Sequence, residues 1–219
     1  MPDVQRLHDR AAQRARERVL SARQVLFLEA RGAAGQTGQA QRRRRTTAVN
    51  APEHFRHCPK CGAALDLVRE LPLRCSACGF TFYFNPAVAT AAIVQREDGR
   101  LLLVRRAREP RKGALSLPGG FVDFGESAES GLRREVLEEV GLRVTSVEFF
   151  CSLPNEYTYR DVTYQVLDLF FLVKVDTTGA KAAPDEVESI VWVAPEEVVL
   201  SEIAFPSVAE ALRRYGGGR

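Results

Sequence analysis

The chain reads as an α/β sandwich with a small metal-stapled module ahead of it, on three observations. Short apolar runs of strand character are interspersed with helical stretches over most of the chain. Four of the five cysteines gather in two Cys-X-X-Cys hooks, and a Pro-Gly-Gly turn leads into a stretch whose glutamates recur at helical spacing. With 219 residues, 45% hydrophobic and 27% charged, the composition is that of a globular chain with a sizeable core. No apolar run approaches a membrane span, and Asp3, Asp9, Glu17 and Glu29 interrupt any secretory signal. The expectation is a cytoplasmic protein with no membrane partner.

Taken in order, residues 1–55 read as a basic extension. Residues 1–50 carry a net charge of +7 and the remainder −4. Over 3–30 a broken apolar stripe, Val4, Leu7, Ala11, Ala15 and Val19, supports a weak helix. From 31 to 50, with the tetrad Arg42 to Arg45, there is almost nothing to bury, and a disordered basic linker is expected. Such a linker could hold nucleic acid electrostatically, but no aromatic residue interleaves the arginines to stack on bases, so the solvated reading is preferred.

Residues 56–84 hold Cys58-Pro-Lys-Cys61-Gly62 and, thirteen residues on, Cys75-Ser-Ala-Cys78-Gly79. Without export signals thiols stay reduced, which favours metal over disulfides. Four thiolates close a tetrahedral zinc sphere, and a glycine after each second cysteine lets the backbone turn beneath the sulfurs. The pattern resembles a zinc ribbon, in which Zn²⁺ replaces a core that so few residues cannot build. No coordination position is left for substrate, so this metal is structural. The lone Cys151, beside Phe149 and Phe150, reads as a buried small hydrophobe.

In the remaining chain, strands are expected at Val88 to Val94, Leu101 to Val104, Val144 to Phe150, Tyr164 to Val175 and Ile190 to Val193, with helices at Ala128 to Val140 and Val208 to Tyr215. The densest chemistry lies between Leu117-Pro118-Gly119-Gly120 and Gly141-Leu142, with Glu126, Arg134-Glu135 and Glu138-Glu139 at fixed intervals. At about 100° per residue, Ala128, Leu132, Val136 and Val140 form one face, and Glu135, Glu138 and Glu139 share the adjoining one. Like charges so placed beside a core repel and are poorly solvated, which calls for a cation among them. Carboxylate oxygens, with the Gly120 carbonyl, suit Mg²⁺ or Mn²⁺. Arg134 can orient the carboxylates, Glu126 can pair with it, and Gly141 stands where a left-handed cap belongs.

These positions resemble the signature of the Nudix hydrolases, and the resemblance extends over residues 86–215. With the four-cysteine ribbon in front, the chain is similar to the branch that includes the NADH and ADP-ribose pyrophosphatases. The resemblance implies an α/β/α sandwich with a mixed sheet over 85–219, and hydrolysis by water of a nucleoside diphosphate linked to another group, such as ADP-ribose or NADH, giving two monophosphates. It also implies that Glu135 and Glu139 are the principal Mg²⁺ or Mn²⁺ ligands, Glu138 a further ligand or proton acceptor, and Gly120 a carbonyl ligand. Arg134 and Glu126 match the supporting ion pair. Glu186, within Asp185-Glu186-Val187-Glu188, matches the loop carboxylate that relatives draw from ahead of a late strand. A homodimer is common among similar proteins.

Substrate contacts are expected from Arg106, with Arg105 and Lys112 near it, and from Phe121, Tyr157 and Tyr159, which read either as a stacking platform for adenine or as rim packing. Where NADH pyrophosphatases carry a Ser-Gln-Pro-Trp type motif, this chain has Cys151-Ser-Leu-Pro-Asn-Glu-Tyr157; where many relatives place Trp before the glycine turn, it has Leu115. The flanking loops choose the substrate, so a nucleoside triphosphate, a capped RNA or a flavin dinucleotide stands as an alternative, as does a non-catalytic nucleotide sensor that binds nucleic acid or protein.

Overall fold

A computed structural model describes residues 49–66, 71–176 and 179–217. All of these belong to one unit, residues 46–219. The weak helix over 3–30 and nearly all of the basic linker lie outside the described residues. Residues 49–54, assigned above to the extension, have regular structure: β1 (Val49–Asn50) enters a sheet and is followed by a 3₁₀ turn at Ala51–His54.

The ribbon contributes β2 (Leu73–Arg74) and β3 (Thr81–Phe82), an antiparallel pair. Then follow β4 (Ala87–Val94), β5 (Leu101–Arg106), β6 (Leu115–Ser116), α1 (Ala128–Val140), β7 (Val144–Tyr159), β8 (Val162–Val175), β9 (Val187–Val193) and α2 (Pro206–Gly217). β8 lies at the centre of a mixed sheet. On one edge β7 runs antiparallel to it from Val144↔Val175 to Tyr159↔Val162. On the other, β4 runs parallel to it from Ala87↔Val166 to Val94↔Val173, and β1 also pairs parallel with β8, at Val49↔Val162. A second sheet pairs β5 with β6 and β9, both antiparallel.

The alternation of β4 and β5 makes the molecule three-layered. Ala92, Val94, Leu102 and Val104 pack with Leu132, Val136 and Val140 of α1, while Ala91, Ile93, Leu101 and Leu103 pack with Val208, Ala211 and Leu212 of α2. Strands apolar on both faces are those covered on both faces. Each such Val, Leu or Ile side chain contributes about 1.5–3 kcal/mol on burial. The α/β/α sandwich expected from the resemblance is the observed architecture.

Helix α1 has the bounds its sequence suggests because both ends are marked locally. The Ser127 hydroxyl accepts the Ser130 N–H at 3.2 Å, and Gly141 takes the left-handed conformation with its N–H on the Leu137 carbonyl at 3.0 Å. β7 is longer than expected, running past Phe150 to Tyr159. Pro154 and the polar run after it disguise the strand, but β7 pairs only with β8 among the described residues, and an edge strand tolerates proline. No helix of the described residues is long and apolar enough to cross a membrane.

Candidate active site and metal centres

In the ribbon the two hooks fold alike. Cys58 N–H bonds the Ala63 carbonyl and Gly62 N–H the Cys58 carbonyl, and the same pair of bonds recurs from Cys75 to Phe80 and from Gly79 to Cys75, all at 2.8–2.9 Å. Gly62 and Gly79, at φ 74° and 72°, supply the left-handed turn. Cys58 and Cys78 sulfurs stand 3.7 Å apart, as do those of Cys61 and Cys75. Zinc–sulfur bonds of about 2.3 Å in a tetrahedron demand sulfur separations of about 3.8 Å. The donor set therefore fits a four-thiolate metal.

The second centre is built on the free edge of β4. Residues 118–122 lie against that edge: Ala92 N–H bonds the Pro118 carbonyl at 2.9 Å, Thr90 N–H the Gly120 carbonyl at 2.8 Å, and Val122 N–H the Val88 carbonyl at 3.0 Å. This lays the glycine turn along α1. A β-carbon on Gly120 would come within 2.6 Å of the Glu135 carboxyl carbon, so only glycine lets that side chain settle there. Gly119 N–H donates to Glu139 Oε2 at 2.9 Å.

Arg134 organises the approach to this centre. Its Nε and Nη2 grip the two Glu126 oxygens at 2.8 and 2.9 Å, and Nη2 also donates to the Phe121 carbonyl at 3.0 Å. Its Nη1 contacts Glu135 and reaches Glu138 Oε2 at 3.3 Å. Glu126 in turn accepts Asp123 N–H at 3.1 Å, closing the turn between Phe121 and α1.

The carboxylates that come together are Glu135, Glu139 and Glu186, each with an oxygen within 4.8 Å of the others. Two project from successive turns of α1; the third arrives from the loop before β9, where Arg108 Nη1 donates to Glu186 Oε1 at 3.1 Å. Burial pushes the Glu139 carboxyl up to about 8, with Glu135 and Glu186 adding to the rise and Gly119 N–H and Arg106 opposing it. Burial likewise raises Glu135, against the pull of Arg134. Three crowded, partly desolvated hard-oxygen donors fit an octahedral divalent cation of the Mg²⁺ or Mn²⁺ class.

Glu138 does not join this group. Its side chain is 44% exposed and turns along the helix toward Arg134. The Gly120 carbonyl, expected on the cation, accepts the Thr90 N–H in the sheet.

Beside the carboxylates stands an aromatic wall. Phe121 meets Tyr157 edge-to-face with centroids 5.4 Å apart, and Phe205 lies 6.0 Å beyond Tyr157. The Arg106 guanidinium sits 5.1 Å above the Phe205 ring, with Nε on the Pro110 carbonyl at 2.9 Å. Its charge reaches both Glu139 and Tyr157. Tyr159, two residues on from Tyr157 and near enough to influence it, lies under Arg160 at the β7–β8 turn. Arg105 bonds the Gly113 carbonyl at 2.6 Å.

Two participants escape a reading of the sequence. Phe205 carries no local signal beyond preceding Pro206 at the start of α2. Arg108 belongs to the basic stretch from Arg105 to Lys112, but nothing in that stretch distinguishes the residue that meets Glu186.

The NUDIX domain matches residues 85–215, more than half of the chain, and the chain belongs to that family. It is 37% identical over 112 residues to the ADP-ribose pyrophosphatase of Methanocaldococcus jannaschii, covering 50% of this chain and 63% of that protein. It is 31% identical over 145 residues to the NAD-capped RNA hydrolase NudC of Actinobacillus succinogenes, covering 63% of this chain and 52% of that one. The chain thus spans between half and two thirds of the length of these curated relatives. A crystal structure of a Nudix hydrolase from Nitrosomonas europaea superposes with a TM-score of 0.60 at 25% identity, over 75% of this chain and 92% of that one.

Proposed function

We propose that this Nudix-family chain hydrolyses the pyrophosphate bond of a nucleoside diphosphate linked to another group, ADP-ribose, NADH or a similar dinucleotide, with Mg²⁺ or Mn²⁺ as cofactor and two monophosphates as products. The observation that carries the reading is the convergence of Glu135, Glu139 and Glu186 within 4.8 Å beside the wall of Phe121, Tyr157 and Phe205. Relatives named for ADP-ribose and for NAD-capped RNA support the same bond type.

Glu135, Glu139 and Glu186 would hold the cation, which when bound neutralises pyrophosphate oxygens and acidifies a coordinated water. The chain's own residues do the positioning. Arg134 and Glu126 brace the glycine turn, and the Gly119 N–H fixes one Glu139 oxygen. Arg106 stands between the carboxylates and the wall, where it meets a phosphate, and Phe121 with Tyr157 offers ring faces to a nucleobase. Glu138, exposed at the rim, would take a proton on its way to solvent. The ribbon cysteines hold Zn²⁺ structurally. A thiolate metal centre and a nucleotide substrate suit the reducing cytoplasm.

The test is a panel of ADP-ribose, NADH, FAD, nucleoside triphosphates and NAD-capped RNA, assayed with Mg²⁺ and Mn²⁺, with products identified by mass. AMP from a dinucleotide, lost in Glu139→Gln, is the expected result. Undiminished AMP release by that variant would overturn the assignment.

A further inference from the structure

Among the described residues, the Thr90 hydroxyl is the buried side-chain polar atom without a hydrogen-bond partner, on a residue only 2% exposed. Burying a hydroxyl unpaired costs stability, so a threonine kept there calls for a reason. Its place in the sheet supplies one. Ala92 and Val94, two and four residues on, pack against α1, and strand alternation puts Thr90 on that same face. Thr90 stands opposite Gly120, donating its N–H to the Gly120 carbonyl, one residue from the antiparallel bridge Ala89↔Phe121. Opposed residues share a face, with β-carbons about 4.5–5.5 Å apart. At Gly120 the β-carbon position is already taken by Glu135, whose carboxyl atoms lie 2.6–2.9 Å from it. The Glu135 carboxyl is therefore seated across the row from the unpaired hydroxyl, while Arg134 holds one of its oxygens.

We propose that Thr90 is a positioning residue for the cation site: its hydroxyl donates to the Glu135 carboxylate when a divalent cation gathers Glu135, Glu139 and Glu186. This rests on the cation-dependent reading above. Valine keeps the shape and β-branching of threonine and removes only the hydroxyl, so a purely structural residue would tolerate the exchange in every measurement.

The experiment compares wild type, Thr90→Val, Thr90→Ala and Thr90→Ser in two readouts: thermal melting in chelator, and Mn²⁺ affinity from the electron paramagnetic resonance signal of free Mn²⁺. Thr90→Val is expected to melt at or above the wild-type temperature without metal, yet to bind Mn²⁺ about 10-fold more weakly, while Thr90→Ser binds as wild type. Mn²⁺ binding by Thr90→Val equal to wild type would overturn the proposal, and so would Thr90→Ser binding as weakly as Thr90→Val. Should Thr90→Val not fold, Thr90→Ala against Thr90→Ser decides on the same criterion. Wild type with no Mn²⁺ affinity sinks the cation reading itself. Wild type that binds and loses Mn²⁺ in Glu139→Gln, with Thr90→Val unchanged, sinks only the role of Thr90.

Discussion

The two clusters of metal-ligating side chains in this chain are built in opposite ways. In the ribbon, each pair of cysteines is set by backbone hydrogen bonds within six residues of sequence, and the four sulfurs gather where they could hold a metal ion. In the sandwich, Glu135 and Glu139 come from α1 and Glu186 from a loop some fifty residues later, and they meet only because the sheet and helix bring them together. Beyond those hooks the ribbon has only a small cluster of Phe55, Phe80, Phe82 and Phe84 to bind its two halves, so a bound metal would supply much of its stability. The carboxylates are held by a finished fold that would be more stable without their mutual repulsion. A structural centre takes its stability from the ion; a reactive one stores an electrostatic cost in a scaffold stabilised elsewhere.

The largest effect should come from the ribbon. Binding of a structural four-thiolate zinc is worth about 10 kcal/mol or more, so Cys75→Ser, or a strong zinc chelator, should release zinc and unfold the segment around β2 and β3. Zinc content and hydrogen exchange would show this, and zinc released without loss of protection there would undo the contrast between the two centres. The sandwich, with two apolar clusters of its own, should keep its secondary structure.

The next effect concerns the floor of the carboxylate site. Gly120→Ala puts a methyl where the Glu135 carboxyl sits, so Mn²⁺ affinity should fall by about 10-fold or more and turnover with it. An isothermal titration in which alanine binds as glycine does would mean that Glu135 moves away at no cost.

The third effect is the one that measures the stored cost directly. In the metal-free protein the Glu139 carboxyl is raised from its ordinary 4.5 to about 8 by burial. A carboxyl raised on folding stabilises in its protonated form, so its contribution is full below about pH 4.5 and is lost as pH rises through about 8. In chelator, the melting temperature of wild type should fall relative to that of Glu139→Gln between those limits, and Mn²⁺ should reverse the order. Parallel melting curves for the two proteins across that range would show that the carboxylates carry no such cost.

Legibility follows the same division. The ribbon was readable because its geometry is written in neighbours: two hooks and two glycines. Helix α1 has the bounds expected of it, and the structure shows Ser127 and Gly141 marking its two ends locally. Helical spacing put Glu135 and Glu139 on one face, Arg134 stood next to Glu135, and the family resemblance pointed to Glu186 ahead of a late strand. The extension of β7 to Tyr159 was not, since Pro154 and Asn155 to Thr158 look like a turn until β8 is laid alongside them. Glu138 has the same spacing credentials as its neighbours, yet it lies one side-chain direction too far round the helix, and Arg134 holds it. Tyr159 shares the alternation of Tyr157 but lies a row nearer the hairpin tip, out of reach of Phe121.

By itself the amino-acid order settled what depends on short-range geometry: the two helices and the cores of the five longest strands, where four sulfurs converge, and which acids share a helical face. Tertiary structure alone decided which three of the acids point at one another, which aromatic rings flank them, and which threonine is left with an unmet hydroxyl. The reason is one of range. Caps, hooks and periodicities act between residues a few positions apart, whereas a binding centre is an agreement among α1, the turn at Gly120, the loop before β9 and the start of α2, which the packing of two apolar layers on a shared sheet brings into contact.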